Sequence, residues 1–304
     1  MKKVKWKGVY PAVTTKFNQE GQLDLNAFKQ NIIAQAEAGV KGIIIGGSLG
    51  ESSTITHDER LLMLKTALTT IGHEVDIVLN IAEGSTTKAI QLIKRAEELG
   101  AHGFMLLPPM MYKPTQQEVI DFITEIANST QLPIILYNNP VDYKTEITLD
   151  MLDKLLTIDN IQAIKESTRD TSNVVRMKNR FGDRLKILCG VDTMAYEELT
   201  LGADGWVAGL VDAFPEETVA IYDLIQDKAY DEALSIYQWF LPILELDISP
   251  QLVQNIKLAE SLTGLGTEYV RPPRKMLSGI ERERVIKIVK DGIATRPKLP
   301  QLSY

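Results

Sequence analysis

Eight short apolar runs punctuate the first two-thirds of the chain: Val9–Thr15, Gly42–Gly47, Asp76–Ala82, Gly103–Pro108, Pro133–Asn138, Ile161–Ser167, Lys186–Val191 and Gly205–Leu210. Each is too short for a good helix, and most are rich in Ile, Val or Leu, which predicts strands buried on both faces. Between them lie segments with helical periodicity, such as Leu25–Ala38, Asp58–Ile71, Thr86–Leu99, Gln116–Asn128 and Ser172–Phe181. Apolar strands alternating with amphipathic helices predict a parallel sheet covered by helices.

One joint recurs. GVKGIII begins at Gly39, GAHGFML at Gly100 and GADGWVA at Gly202. In each, the first glycine closes a helix, where a positive φ is wanted, and the second opens the next strand. Uninterrupted repetition of a βα unit, with no GxGxxG after an early strand, favours a closed (β/α)8 barrel over an open doubly wound sheet. Beyond Pro215 the strands stop. Helical patterns near 216–227, 230–245, 250–263 and 280–292 predict the barrel's last helix and a C-terminal helical appendage, with the barrel at 1–228 and the helical region packed on it at 229–304. The tail ATRPKLPQLSY is read as extended.

Charge and cysteine content narrow the function. A net charge of −7 with a pI near 5.2 disfavours binding to nucleic acid or anionic membranes. The single cysteine, Cys189, excludes an intrachain disulfide and fits a reducing, cytoplasmic setting. The basic N-terminal stretch lacks an apolar core, so no signal peptide is expected, and no run of about 18 apolar residues reads as a membrane span. His57, His73 and His102 have no metal-ligand spacing, and neither metal nor organic cofactor is expected.

In such a barrel, chemistry sits at the C-terminal ends of the strands. The sixth run, IQAIKES, carries Lys165 with Ala163 and Ser167 on one side of the strand and Ile164 and Glu166 on the other. A lysine facing the barrel interior loses hydration and becomes a neutral nucleophile. The competing reading is a strand-end lysine reaching solvent or paired with Glu166. Tyr137, in PIILYNNP, is either a proton shuttle beside that lysine or a core tyrosine. In GIIIGGSLGESSTIT, Gly46, Gly47 and Gly50 permit close backbone approach, and the N–H groups around Ser48 and Leu49 suit a carboxylate. The ordinary alternative is a glycine-rich turn with Thr56 or Asp58 capping the next helix. Asp192, after Gly190 in CGVD, reads as a helix cap, the alternative being a pocket residue. Gly209 either clears the pocket mouth or marks a turn. Arg271 to Arg274, in RPPR, reads as a loop salt-bridge element, with anion binding the alternative, and Trp239 with Phe240 reads as packing.

Three motifs in order, Gly-Gly-Ser-Leu-Gly-Glu at 46–51, Tyr-Asn-Asn-Pro at 137–140 and Ile-Lys-Glu-Ser at 164–167, resemble those of the dihydrodipicolinate synthase/N-acetylneuraminate lyase family over nearly the whole chain. The resemblance implies that Lys165 forms a Schiff base with a small 2-oxo acid, that Tyr137 shuttles protons, and that Ser48 with the Leu49 backbone holds the substrate carboxylate. It also implies a homotetramer, built as a dimer of dimers.

Three positions depart from the synthases of that family. Leu49 stands where a second hydroxyl residue is expected, Met111 where a tyrosine reaches a neighbouring subunit, and Asp142 where an arginine grips the second substrate. GSLGE, LPPMMYK, YNNPVDYK and GWVAGLVDAFPEE are similar instead to deaminases of 1-pyrroline-4-hydroxy-2-carboxylate, a cyclic imine carboxylate, which implies release of 2-oxoglutarate semialdehyde and ammonia. Leu49 and Met111 would suit a compact ring, with Tyr112 or Asn139 as candidate contacts to its hydroxyl. The alternatives are a synthase or an aldolase or dehydratase of 2-keto-3-deoxy sugar acids and, of another class, a non-catalytic metabolite-binding barrel.

Overall fold

The structure is a computed structural model that describes residues 4–300. The first three residues of the basic N-terminal stretch and the last four of the Pro-rich tail lie outside them. The expected barrel is present. Strands β1 (Gly8–Val13), β2 (Gly42–Ile45), β3 (Asp76–Ile81), β4 (Gly103–Leu106), β5 (Ile134–Asn138), β6 (Ile161–Glu166), β7 (Lys186–Cys189) and β8 (Gly205–Ala208) pair in parallel, and β1 closes on β8. Each lies inside one of the eight apolar runs or within a residue of it. They are buried because the barrel interior covers one face and the helices the other.

The repeated joints have the predicted conformation: Gly39, Gly100 and Gly202 have φ of 99°, 95° and 103°. In each, the next residue's N–H reaches back five residues, Val40 to Gln35, Ala101 to Ala96 and Ala203 to Glu198, which is the Schellman pattern that ends a helix at a left-handed glycine. The glycines that follow are needed for closeness. A Cβ on Gly42, Gly103 or Gly205 would stand 2.9, 2.8 or 2.6 Å from the backbone oxygen of Asp76, Pro133 or Gly8.

Past β8, helix Pro215–Gln226 completes the ring, and Tyr230–Leu244, Leu252–Thr263 and Gly279–Ala294 follow. Trp239 and Phe240 pack against Phe214, and Arg271 pairs with Glu59 at 2.8 Å, as their sequence contexts imply. A buried polar network fastens Leu252–Thr263 to the mouth of the barrel. Lys257 Nζ meets Glu51 Oε1 at 2.7 Å, and Lys16 Nζ meets Glu260 Oε2 at 3.0 Å, all four side chains fully buried. Burial pushes the Lys257 amine down to about 8, against the pull of Glu51. Glu51 belongs to the glycine-rich loop, and its other oxygen accepts the Arg271 N–H at 3.0 Å. The network therefore clamps that loop from outside. Lys257→Met will strand the Glu51 charge and lower the unfolding free energy by roughly 3–5 kcal/mol, and adding Glu51→Gln will recover part of the loss. Urea unfolding of the two variants checks both.

Candidate active site

A cavity opens at the C-terminal end of the barrel. Gly47, Ser48, Leu49, Tyr137, Asn139, Lys165, Gly190 and Gly209 all line it, so the sequence-predicted residues converge on one place. Lys165 is 7 % exposed and sits in β6 opposite Tyr137 of β5 in the strand register. Partners in a parallel pair point the same way, here inward. The Lys165 amine lies 4.2 Å from the centre of the Tyr137 ring. A register shift at Ile134/Ile135 produces this match; a ladder continued from the Ile134–Ile161 pair would place Tyr137 beside Ile164.

Glu166 points to the other side of β6, where its carboxyl accepts from the Thr168 N–H at 2.7 Å, from Asn173 at 3.2 Å and from Asn138 at 3.3 Å. It does not pair with Lys165. Burial lowers the affinity of the Lys165 amine for its proton, opposed by the negative fields of Asp247, Tyr143 and Asp192. Burial also pushes the Tyr137 phenol up to about 12, moderated by Asn139, whose Nδ2 donates to the phenol oxygen at 3.1 Å. Gly190 makes room for the lysine: a Cβ there would fall 2.7 Å from Lys165 Cγ.

The glycine-rich loop faces this pair. Gly46 (φ 72°) and Gly50, where a Cβ would be 2.9 Å from the Val13 oxygen, are required by the turn. Gly47 is not, since an added methyl would make only a 3.6 Å contact with Met105. The turn is held by Ser52 N–H to Gly47 O and Glu51 N–H to Ser48 O, each 3.1 Å, which leaves the Ser48 and Leu49 N–H groups with no acceptor among the described residues.

Several expectations need correction. Asp192 does not cap its own helix. It lines the cavity and accepts from Trp206 Nε1 at 2.9 Å and from the backbone N–H groups of Gly209 at 3.1 Å and Leu210 at 2.7 Å, so it clamps the turn after β8. Met111 and Tyr112 are 84 % and 55 % exposed and do not line the cavity of their own chain, so neither shapes a ring site there. Thr56, by contrast, caps its helix as the ordinary reading of the loop requires. His57 and His73 sit beside Glu83 and Glu74, and His102 accepts from the Ile77 N–H, all away from the cavity.

Three cavity groups escaped the sequence reading. Tyr143 ends the short helix Pro140–Tyr143. Its hydroxyl is hydrogen-bonded to Ser48 Oγ, and its ring meets the Tyr137 ring edge-on, with 5.7 Å between centres. Burial pushes its phenol up to about 12. Arg169 follows β6, and Asp247 comes from the segment between Tyr230–Leu244 and Leu252–Thr263. Burial, reinforced by Asp192, pushes the Asp247 acid up to about 8. No spacing rule could have found Asp247, because it lies 55 residues beyond the Asp192 that it approaches.

Residues 5–292 match the model of the dihydrodipicolinate synthetase family. The chain belongs to that family. Its members are Schiff-base-forming lyases that act on small molecules, and so is this enzyme. Among similar members, the 4-hydroxy-tetrahydrodipicolinate synthase of Geobacter metallireducens is 28% identical over 286 residues, covering 94% of this chain and 98% of that one. The synthase of Exiguobacterium sibiricum is 30% identical over 268 residues, covering 88% and 92%. The solved synthase of Methylacidiphilum fumariolicum SolV superposes with a TM-score of 0.89 at 28% identity, covering 95% and 97%. That of Acinetobacter baumannii, complexed with pyruvate, gives 0.89 at 26% identity, covering 95% and 99%. Among the described residues no helix is long and apolar enough to cross a membrane.

Proposed function

We infer that Lys165 forms a Schiff base with a 2-oxo-acid-type substrate and that the enzyme deaminates 1-pyrroline-4-hydroxy-2-carboxylate. The observation that carries the first part is the Lys165 amine, dehydrated and directed into the cavity over the Tyr137 ring. The pyruvate complex of the Acinetobacter synthase supports a 2-oxo acid as the class of substrate.

The arrangement gives each group a role. The substrate carboxylate sits against the free N–H groups of Ser48 and Leu49. The neutral amine adds to C2 and expels the ring nitrogen, which becomes an amine on C5. Tyr137, hydrogen-bonded to Asn139, carries the proton between the two nitrogens, and Tyr143 with Ser48 extends the hydroxyl path across the carboxylate end. The protonated imine withdraws electrons, so C3 loses a proton and the C4 hydroxyl leaves as water. Tautomerisation places an imine at C5. One water hydrolyses it and releases ammonia; a second frees Lys165 and the semialdehyde product. One water is consumed overall.

The relatives carry the synthase name, which makes condensation the second reading. The cavity wall weighs against it. Asp142 and Asp192 face the site against the single guanidinium of Arg169. Asp142 is bound by Asn139 at 2.8 Å and offers a second anionic substrate repulsion. A cyclic imine, which becomes an amine on opening, suits an acidic wall. Ammonia release from the pyrroline, followed by a coupled dehydrogenase assay, is the expected result. Condensation of pyruvate with an aldehyde acid, with no ammonia from the pyrroline, would reverse the choice.

A further inference from the structure

Among the described residues, Asp247 is the one carboxyl lining the cavity that comes from beyond the barrel. It lines the cavity beside Asp192 and Gly209. Its Oδ2 accepts the Asp192 N–H at 3.5 Å. Its Oδ1 stands 2.9 Å from where a Cβ on Gly209 would be, and Asp192 Oδ2 stands 3.5 Å from the same point. The absence of a side chain at Gly209 therefore makes the space in which two carboxyls meet.

Their surroundings differ. Asp192 accepts three strong donors, from Trp206, Gly209 and Leu210. Asp247 has only the one long contact, and none of the described residues forms a salt bridge with it. When two carboxyls share a site, the one with the donors holds the charge and the other holds the proton. Asp247 thus presents an acidic proton to the substrate cavity, while Tyr137 and Tyr143 are engaged with Asn139 and Ser48.

We propose that Asp247 is the general acid that protonates the hydroxyl leaving C4 of the Schiff-base-bound substrate. The assignment rests on the deaminase reading above. In the step, the C3 electron pair forms the C3=C4 bond, the C4–O bond breaks, and the oxygen departs as water with the Asp247 proton. The carboxylate is recharged by the water that later adds to C5, taking one of its protons.

Two reactions of one protein test this. Exchange of the pyruvate methyl protons with deuterated water needs Lys165 and Tyr137 but expels no group, and proton NMR follows it. Asp247→Asn keeps the shape and loses the acid. It should slow ammonia release from the hydroxylated pyrroline roughly 10²–10⁴-fold beyond whatever change it causes in exchange. Asp247→Glu should retain more of the rate than Asp247→Asn. Equal losses in both reactions would make Asp247 a shaping residue and overturn the proposal, as would unchanged ammonia release. Should Asp247→Asn not fold, Asp247→Glu and Gly209→Ala, which crowds the carboxyl, carry the same comparison. A wild-type enzyme that exchanges pyruvate protons but releases no ammonia overturns the deaminase reading and this assignment with it; one that does neither overturns the Lys165 reading.

Discussion

Lys165→Ala will give a folded protein with no turnover above background and no stable adduct after borohydride treatment with pyruvate, whereas the wild type will gain one adduct per chain by mass spectrometry. The reason is that no other amine reaches the reacting carbon: among the described residues, Lys165 is the one lysine that lines the cavity. Folding will survive because Lys165 makes no ion pair among the described residues; its removal takes away a desolvation cost together with some packing. The wild-type pH profile adds a second check. The amine must be neutral to attack, so the rate of adduct formation rises as pH rises through its value in the folded protein. Burial lowers that value, so the ascending limb will lie below the ordinary 10.5 of lysine. A limb at or above that value would show a hydrated amine and defeat the mechanism. So would an adduct on Lys165→Ala.

Tyr137→Phe will slow turnover by roughly 10²–10⁴-fold with a small change in KM, the signature of a lost proton transfer rather than lost binding. The phenol is buried, shares the register of Lys165 and is oriented by Asn139, so it has both the position and the hydrogen bond of a shuttle. The ring itself stays, and with it the contact with the amine and the edge-on contact with Tyr143. Borohydride trapping on the variant will still label Lys165, more slowly. A near-normal rate would move the shuttle to Tyr143, whose hydroxyl already engages Ser48.

The strands were readable because a β/α barrel buries each of them on both faces, which writes a continuous apolar run into the chain. The helix-ending glycines were readable because a positive φ is a local demand. Shorter elements were not. Pro140–Tyr143, Leu149–Leu155 and Ala195–Thr200 span one or two turns, too few for a period to register. Asp192 was misread for a related reason: an acid before a helix usually caps it, but here stronger donors arrive from β8, fourteen to eighteen residues along.

By itself the sequence determined the eight βα units, the residues that share a side of β6 with Lys165, and a glycine-rich turn around Ser48 and Leu49. These follow from alternation and backbone conformation, which act over a few residues. Only the tertiary structure decided which groups share the cavity. The register shift on β5 aligns Tyr137 with Lys165, the short helix after Pro140 turns Tyr143 onto Ser48, and the C-terminal helices, anchored through Lys257 and Glu51, bring Asp247 to Gly209. The physical reason is distance along the chain: barrel closure and the buried ion network join residues as far apart as Lys16 and Glu260, and no local pattern records where such partners will meet.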